Sequence, residues 1–161
     1  MTQPSTVRVE RFIAQHQLDA EVISTPDGVP TVELAATALG VEPDQIIKTL
    51  VFVGPADELV IAIACGTGRV DRKKLAALAA LPKLSLASAD RVLSATGYPA
   101  GGVAPIDLPA SARVFVDEQV AQRPELYGGA GTDLHMVRLQ SADIIRLNHA
   151  TIAPLLQSVD P

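Results

Sequence analysis

Apolar side chains recur every three or four residues in several segments of the chain, which is the period of an amphipathic helix. The first segment, residues 6–17, places Val9, Phe12 and Ile13 on one face. His16 lies at the edge of this face, and we expect it to have a structural role. Most later segments follow a serine, threonine or aspartate that can cap a helix N-terminus. The pattern predicts helices over residues 6–17, 32–39 (capped by Thr31), 72–79 (Asp71), 89–96 (Ser88) and 142–147 (Ser141), with a short helix or turn over 117–122 and a last helical turn over 152–156.

Two nearly continuous apolar runs, residues 47–53 and 59–65, flank a short polar turn, which predicts a β-hairpin. These hairpin signals are mixed with single helices and lack the regular strand–helix alternation of a doubly wound sheet. The predicted fold class is therefore α/β (α+β) with a mixed sheet. No internal repeat or long linker divides the chain, so one domain over residues 1–161 is expected. Shorter strands are predicted over residues 21–24, 84–87, 113–116 and 134–139, with a turn over 25–30.

A lysine interrupts the first apolar run. Lys48 shares a strand face with Leu50 and Phe52 if residues 47–53 are extended. Lysine heads are seldom buried without a partner, and a lysine on an inward face tends to line a cavity. The alternative is an edge-strand residue that discourages aggregation.

The segment around which the chain is organised is GYPAGGVAPID, residues 97–107, hereafter the central loop. It holds three glycines and two prolines in eleven positions. Gly97 suits the left-handed residue that ends a helix, and the glycines at 101 and 102 let the backbone approach another strand or a ligand. A rigid loop of small residues can present N–H groups to a carbonyl or phosphate oxygen. An ordinary turn between helix and strand is the alternative.

Composition narrows the classes of function. The chain is 48% apolar but only 3% aromatic, so aliphatic side chains must fill the core. A net charge of −5 argues against a general, charge-driven nucleic-acid binder. Local contact stays open, because one cluster of four cations could meet a phosphate backbone or could form a solvated helix face. The cluster comprises Arg69, Arg72, Lys73 and Lys74.

Other familiar signals are absent from the sequence. No apolar run approaches the length of a membrane span, and residues 1–12 lack the apolar region of a signal peptide, so a cytoplasmic protein without membrane association is expected. Neither a dinucleotide motif nor a P-loop occurs, and no zinc spacing is present, so no cofactor or metal is expected. Cys65 ends a run of small apolar residues, so we expect it to be a buried hydrophobic residue. The alternative is a catalytic thiol. Asp133 and His135 lie two positions apart, and one such pair is weak evidence for a metal site.

Several segments together carry a family resemblance. They are IIKTLVF (46–52), the central loop and GGAGTDLHMVRL (128–139), together with TVELAATALGV (31–41) before the lysine strand and RVDRKKLAAL (69–78) after the hairpin. In this order and spacing the chain resembles the YbaK/ProX-type aminoacyl-tRNA deacylases. These are relatives of the editing domain inserted in bacterial prolyl-tRNA synthetases.

The resemblance implies a compact fold in which a mixed, barrel-like sheet is flanked by helices. It implies a free-standing enzyme that hydrolyses the ester of a mischarged tRNA, most often tRNA(Pro) carrying a small wrong amino acid such as Ala or Cys. The implied partners are the 3′ end of aminoacyl-tRNA and prolyl-tRNA synthetase. The sequence determines neither the oligomeric state nor which amino acid is removed.

The resemblance also assigns site residues. Lys48 would hold the 3′-terminal adenosine and its phosphate, the backbone from Gly101 to Pro105 would contact the aminoacyl group, and a second glycine segment would join them. The residues assigned to catalysis are Lys48, Gly101 and Gly102, to which the physical chemistry adds Asp133 and His135, because either could orient the water or the substrate amine. Those assigned to substrate binding are Thr25, Tyr98, Pro105, Gly129, Ala130 and Gly131.

Elementary chemistry is consistent with these roles. An aminoacyl ester is already activated, so its hydrolysis needs no strong nucleophile. A positioned water, backbone N–H groups against the developing oxyanion and a cation near the phosphate could suffice. The sequence departs from the family at Asp107, where many relatives have glycine, and the region from Thr132 to His135 varies among subgroups. A non-catalytic module of the same fold, binding an aminoacyl-adenosine or a protein partner, is the alternative function.

Overall fold

Two β-sheets with helices packed around them form the framework of the fold. The computed structural model describes residues 5–25, 27–29 and 31–158. The helices are α1 (Ser5–His16), α2 (Val32–Leu39), α3 (Arg72–Leu78), α4 (Ala89–Thr96), α5 (Glu118–Ala121) and α6 (Ser141–Leu147), with a 3-10 turn at Pro43–Gln45. The strands are β1 (Glu21–Ser24), β2 (Ile47–Val53), β3 (Leu59–Cys65), β4 (Ser85–Leu86), β5 (Arg113–Asp117), β6 (Glu125–Gly129), β7 (His135–Gln140) and β8 (Thr151–Ala153).

The larger sheet has five strands in the order β4-β2-β3-β5-β8. The hairpin β2–β3 is antiparallel, as are β2 and β4, whereas β5 pairs in parallel with both β3 and β8. The smaller sheet is antiparallel, with three strands in the order β1-β7-β6. This confirms the mixed α/β class.

The two sheets meet at the start of β2, where Ile46 forms a parallel bridge with Tyr127. The strand order of the described residues does not close on itself, so the expectation of a barrel-like sheet is corrected to two adjoining open sheets. The junction leaves a gap between the start of β2 and the ends of the smaller sheet. That gap becomes the candidate site.

Both faces of the larger sheet are covered, which explains the continuous apolar runs in β2 and β3. Ile61 and Ile63 pack into one core with α1 and α4, while Val60 and Ala62 pack into a second core with α3. All four of these β3 side chains are fully buried. The alternation of β3 thus divides the interior into two layers.

Two predictions about element ends are wrong, and one strand is absent from the prediction. Residues 152–156 do not form a helical turn, because β8 pairs with β5 and the Leu155 N–H donates to the buried Asp117 carboxylate at 2.8 Å. Ser141 is the first residue of α6 and not its cap, since Gln140 stands at the cap position. Residues 125–129 form a strand that their two glycines disguise in the sequence.

Pro26 and Pro30 of the predicted turn over residues 25–30 lie outside the described residues. No described helix is long and apolar enough to cross a membrane.

Candidate functional site

A cavity of about 790 Å³ lies at the junction of the two sheets. Its walls come from α2, the first half of β2, the central loop, and the segment that joins β6 to β7. Side chains, backbone and two glycine-rich segments therefore converge on one space. Such a cavity, largely apolar with a few convergent polar groups, is the expected form of a small-molecule site.

Lys48 lines this cavity and is half-buried. It lies on a strand paired along its length with β3, where Ala64 is its partner. Its Nζ donates a hydrogen bond to the Gly68 carbonyl at 2.7 Å. Burial lowers the pKa of Lys48 below its ordinary value of 10.5, the Arg69 charge lowers it further, and the Glu33 carboxylate opposes both. The site therefore holds a cation that is incompletely compensated.

The central loop begins as the sequence predicts, because Gly97 ends α4 in the left-handed conformation with φ 77°. Gly101 is also left-handed, with φ 83°, and an added Cβ there would meet nothing within 4 Å. The Gly102 N–H donates to the Pro99 carbonyl at 2.9 Å, which closes the loop on itself. Within the described part of the chain, the N–H groups of Gly101 and Val103 have no acceptor. These two groups are therefore candidate donors to a ligand oxygen.

The second glycine segment, residues 128–131, is locked against the central loop. The Gly131 N–H donates to the Gly102 carbonyl at 2.8 Å. A Cβ on Gly102 would lie 3.2 Å from the Gly131 carbonyl carbon, and one on Gly129 would lie 2.9 Å from the Val103 oxygen. A side chain at 129 would thus force the two segments apart and one at 102 would crowd them, whereas Gly101 faces open space.

His135 and Asp133 both reach the cavity, but they do not share a strand face. His135 opens β7, while Asp133 lies in the preceding turn and is exposed. The His135 Nδ1 lies 2.8 Å from the Thr132 hydroxyl, which also accepts from the Leu134 N–H. Thr132 thus fixes the imidazole ring, so that the orientation of His135 is set by its own turn.

Seven of the eleven predicted site residues line the cavity. They are Lys48, Gly101, Gly102, Gly129, Gly131, Asp133 and His135. The other four lie behind its walls, and the roles predicted for all eleven residues stay predictions.

The four residues behind the walls are held in different ways. The Thr25 hydroxyl is buried and has no hydrogen-bond partner among the described residues. Tyr98 is fully buried, its hydroxyl donates to the Ile106 carbonyl at 2.9 Å, and burial raises its pKa. The Pro105 carbonyl accepts from the Asn148 side chain at 2.8 Å. Ala130 is fully buried. Tyr98, Pro105 and Ala130 thus support the two loops from within.

Sequence reasoning missed the apolar wall opposite the loops. Val32 and Ala35 of α2 line the cavity together with Leu50 and Met136. The alanine content of α2 indicated close packing against a sheet, and Ala35 is indeed buried. The helical period places Val32 and Ala35 on one face, yet only the tertiary arrangement shows that this face also borders a cavity.

The polar groups that the cavity assembles are an ammonium, an imidazole, a carboxylate and backbone N–H groups. Among the described residues, no group of three or more His, Cys, Asp or Glu side chains is placed to hold a metal ion. The arrangement can bind an anion through Lys48, accept an oxygen at the central loop and enclose a small apolar group against α2. Such an arrangement has the chemical groups that could recognise a phosphate and a polarised carbonyl.

Known proteins resemble this chain over most of its length. Residues 26–147 match the family model of the aminoacyl-tRNA editing domain. The chain is 25% identical over 144 residues to YwhH, an uncharacterised protein of Bacillus subtilis, covering 89% of this chain and 91% of YwhH. It is 28% identical over 148 residues to EbsC of Enterococcus faecalis, provisionally named a Cys-tRNA(Pro)/Cys-tRNA(Cys) deacylase, with 90% of each chain covered.

The similarity extends to part of a larger enzyme and to a solved structure. The chain is 35% identical over 127 residues to the proline–tRNA ligase of Desulforamulus reducens, covering 78% of this chain and 22% of the ligase. A crystal structure described as a proposed trans-editing enzyme for prolyl tRNA synthetase matches with a TM-score of 0.86 and 29% identity. That match covers 98% of this chain and 100% of the other.

Proposed function

The chain belongs to the aminoacyl-tRNA editing domain family, and from that premise we propose that it is a free-standing trans-editing deacylase for mischarged tRNA(Pro). Membership of the family confirms the resemblance in the sequence and gives an aminoacyl-tRNA hydrolase. The finer proposal is that the amino acid removed is small, with Ala and Cys as the candidates. EbsC, by its provisional name, acts on Cys-tRNA(Pro), which supports this choice.

The observation that carries the proposal is that Lys48 and both glycine segments line one cavity. In the proposed complex the Lys48 ammonium contacts a phosphate or ribose oxygen of the terminal adenosine. Charge-assisted hydrogen bonds of this kind are stronger than neutral ones. The Gly68 carbonyl, 2.7 Å from Nζ, holds the side chain in place before substrate arrives.

The aminoacyl carbonyl oxygen is placed at the central loop, where the N–H groups of Gly101 and Val103 are available. Water attacks the carbonyl carbon, and the negative charge that develops on the carbonyl oxygen is stabilised by these donors. The C–O bond to the ribose then breaks, and the ribose oxygen leaves with a proton. Proton transfer is assigned to a neighbouring ribose hydroxyl of the tRNA, with His135 orienting the water.

The apolar wall limits the size of the amino acid. Val32, Leu50 and Met136 border the same space as the central loop. Side chains of this size leave room for the methyl or thiol of a small substrate. We infer that discrimination against larger amino acids is steric, because a pocket rejects an oversized group by overlap.

A panel of charged tRNAs tests the proposal. Ala-tRNA(Pro), Cys-tRNA(Pro) and Pro-tRNA(Pro) are incubated with micromolar enzyme, with Ala-tRNA(Ala) and Cys-tRNA(Cys) as matched controls for tRNA identity. We expect rapid release of Ala or Cys from tRNA(Pro) and slow release of Pro. No release above the spontaneous rate from any of the five would leave the binding module as the function of this chain.

A further inference from the structure

Three exposed cations follow Gly68, whose carbonyl accepts the Lys48 hydrogen bond, and none of the three lines the cavity. They are Arg69, Arg72 and Lys73, hereafter the basic strip. Arg69 lies in the loop that follows β3, and the other two open α3. Lys74 is not included, because it is half-buried and its Nζ donates to the Leu156 carbonyl at 3.0 Å.

A short stretch of backbone links the basic strip to the cavity. Gly68, whose carbonyl accepts the Lys48 hydrogen bond at 2.7 Å, directly precedes Arg69. The Arg69 charge is close enough to lower the pKa of Lys48. A chain of phosphates leaving the Lys48 end of the cavity would therefore meet Arg69 first.

The strip differs from most of the arginines outside it in how its charge is compensated, although among the described residues Arg11 and Arg113 also form no salt bridge. Five arginines form salt bridges with carboxylates, at N–O distances of 2.7–3.2 Å: Arg8, Arg91, Arg123, Arg138 and Arg146. Within the described residues, no member of the strip forms one. The nearest carboxylate in sequence, Asp71, accepts the backbone N–H groups of Lys73 and Lys74 as the cap of α3.

An uncompensated cluster is unexpected in a chain whose net charge is −5. Exposed cations without carboxylate partners are free to bind an external anion, and arginine matches phosphate oxygens in a bidentate manner. Phosphodiester groups are repeated along a nucleic-acid strand, so neighbouring cations can each contact one.

We propose that the basic strip binds backbone phosphates of the acceptor arm of the tRNA whose 3′ end enters the cavity. This inference rests on the proposed function and extends it from the terminal nucleotide to the arm. The contact is independent of base sequence, because only phosphates are bound. Its contribution is to affinity, and the chemical step is left to the cavity.

The double variant Arg72→Gln/Lys73→Gln tests the strip. Arg69 is left in place because its charge acts on Lys48, so that replacing it would also disturb the cavity. Its matched control is Arg11→Gln/Lys83→Gln, which removes two exposed cations that also form no salt bridge among the described residues. Thermal unfolding of both variants establishes that each is folded. The substrates are full-length mischarged tRNA(Pro) and the corresponding aminoacyl-adenosine, which lacks the arm.

For the strip variant we expect KM for the tRNA to rise roughly tenfold, with kcat within about twofold. Hydrolysis of aminoacyl-adenosine should not change, and the control should resemble wild type on both substrates. Binding of an uncharged acceptor-stem minihelix, followed by fluorescence anisotropy across a salt series, should lose about two units of the slope of log K against log salt.

Equal effects of the strip and control variants on KM would overturn the inference, as would an equal rise in KM for aminoacyl-adenosine. If wild type hydrolyses neither substrate, the proposed function fails, and minihelix binding then decides the strip by itself. An unchanged minihelix salt slope in the strip variant would contradict phosphate binding whatever the enzymatic result.

Discussion

Arg8 of α1 forms an ion pair with Asp107 at the end of the central loop, with 2.7 Å between its Nε and the carboxylate. The same guanidinium donates to the carbonyls of Asp107 and Thr96 and lies 4.0 Å from the centroid of the Tyr98 ring. Asp107 has φ 54°, a left-handed conformation that favours glycine. The departure from the family at this position is thus matched by a partner on α1, and Asp107 does not line the cavity.

Replacement of Arg8 should therefore cost more stability than replacement of its partner. Arg8→Ala removes three hydrogen bonds and a cation–π contact, and we expect a loss of about 1–3 kcal/mol in the free energy of unfolding. Asp107→Gly should change it by less than about 1 kcal/mol, since loss of a half-exposed ion pair is offset by relief of the left-handed backbone. Urea unfolding of both variants measures the difference. A larger loss for Asp107→Gly would contradict this account of the loop.

Gly101→Ala should separate the role of the loop in catalysis from its role in folding. Its Cβ would point into open space, so the cost to folding is backbone strain of about 1–2 kcal/mol. Gly40→Ala is the matched control, because Gly40 has φ 68°, an equally open Cβ position and no place in the cavity wall. We expect similar losses of stability in urea but a loss of deacylation only for Gly101→Ala. Equal activities in the two variants would make the loop structural.

Cys65→Ala should retain most deacylase activity. The thiol is buried, lies outside the cavity wall, and has its pKa raised by burial, so it stays protonated and inert. Removal of one sulfur leaves a small cavity, which costs stability modestly. Steady-state rates beside thermal unfolding check both expectations. A fall of more than about a hundredfold, roughly 2.7 kcal/mol of barrier, in a folded variant would restore the thiol as a catalyst.

The depressed pKa of Lys48 predicts a specific pH dependence of stability. Burial and the Arg69 charge hold the pKa in the folded protein below the 10.5 expected when unfolded. Between these two values the unfolded chain binds more protons, so the contribution of Lys48 to stability rises with pH across that window. The free energy of unfolding of wild type relative to Lys48→Ala should therefore increase from pH 7 to pH 10. A constant or falling difference would show that the ammonium is not penalised by the fold.

The sequence predicts those parts of the fold that depend on local contacts. The Thr31 hydroxyl accepts the Leu34 N–H at 3.1 Å, and Gly97 adopts the left-handed conformation that ends α4. Both are interactions within a few residues, which is why capping rules identify them. β6 escapes prediction because two of its five residues are glycines, and β8 because three residues are too few to show the alternation of a strand before β5 is seen beside them.

The residues of the candidate site likewise include some that the sequence indicates and others that only the folded structure reveals. Lys48 and the glycine segments are visible as departures from the surrounding pattern, a cation in an apolar run and glycines after a helix. Tyr98 was assigned to substrate binding, yet its side chain points into the core, and no sequence pattern distinguishes the two directions for a residue in a loop. Val32 and Ala35 carry an ordinary helical pattern, so only the junction of the two sheets shows that they border the cavity.

We propose that the Lys48 ammonium binds substrate in the cavity and is not required for folding. Lys48→Ala loses the hydrogen bond to the Gly68 carbonyl, worth about 1 kcal/mol, but also removes a partly buried cation beside Arg69. We expect the melting temperature to change little. Lys48→Arg should restore little activity, because a planar guanidinium does not replace a compact ammonium in a confined position.

The most direct test is the initial rate of deacylation of Ala-tRNA(Pro) and Cys-tRNA(Pro) by wild type, Lys48→Ala and Lys48→Arg, with thermal unfolding of each in the same buffer. We expect a loss of at least about a hundredfold for Lys48→Ala, roughly 2.7 kcal/mol of barrier, in a protein that unfolds at nearly the wild-type temperature. Full activity in a folded Lys48→Ala variant would contradict the proposed role of Lys48.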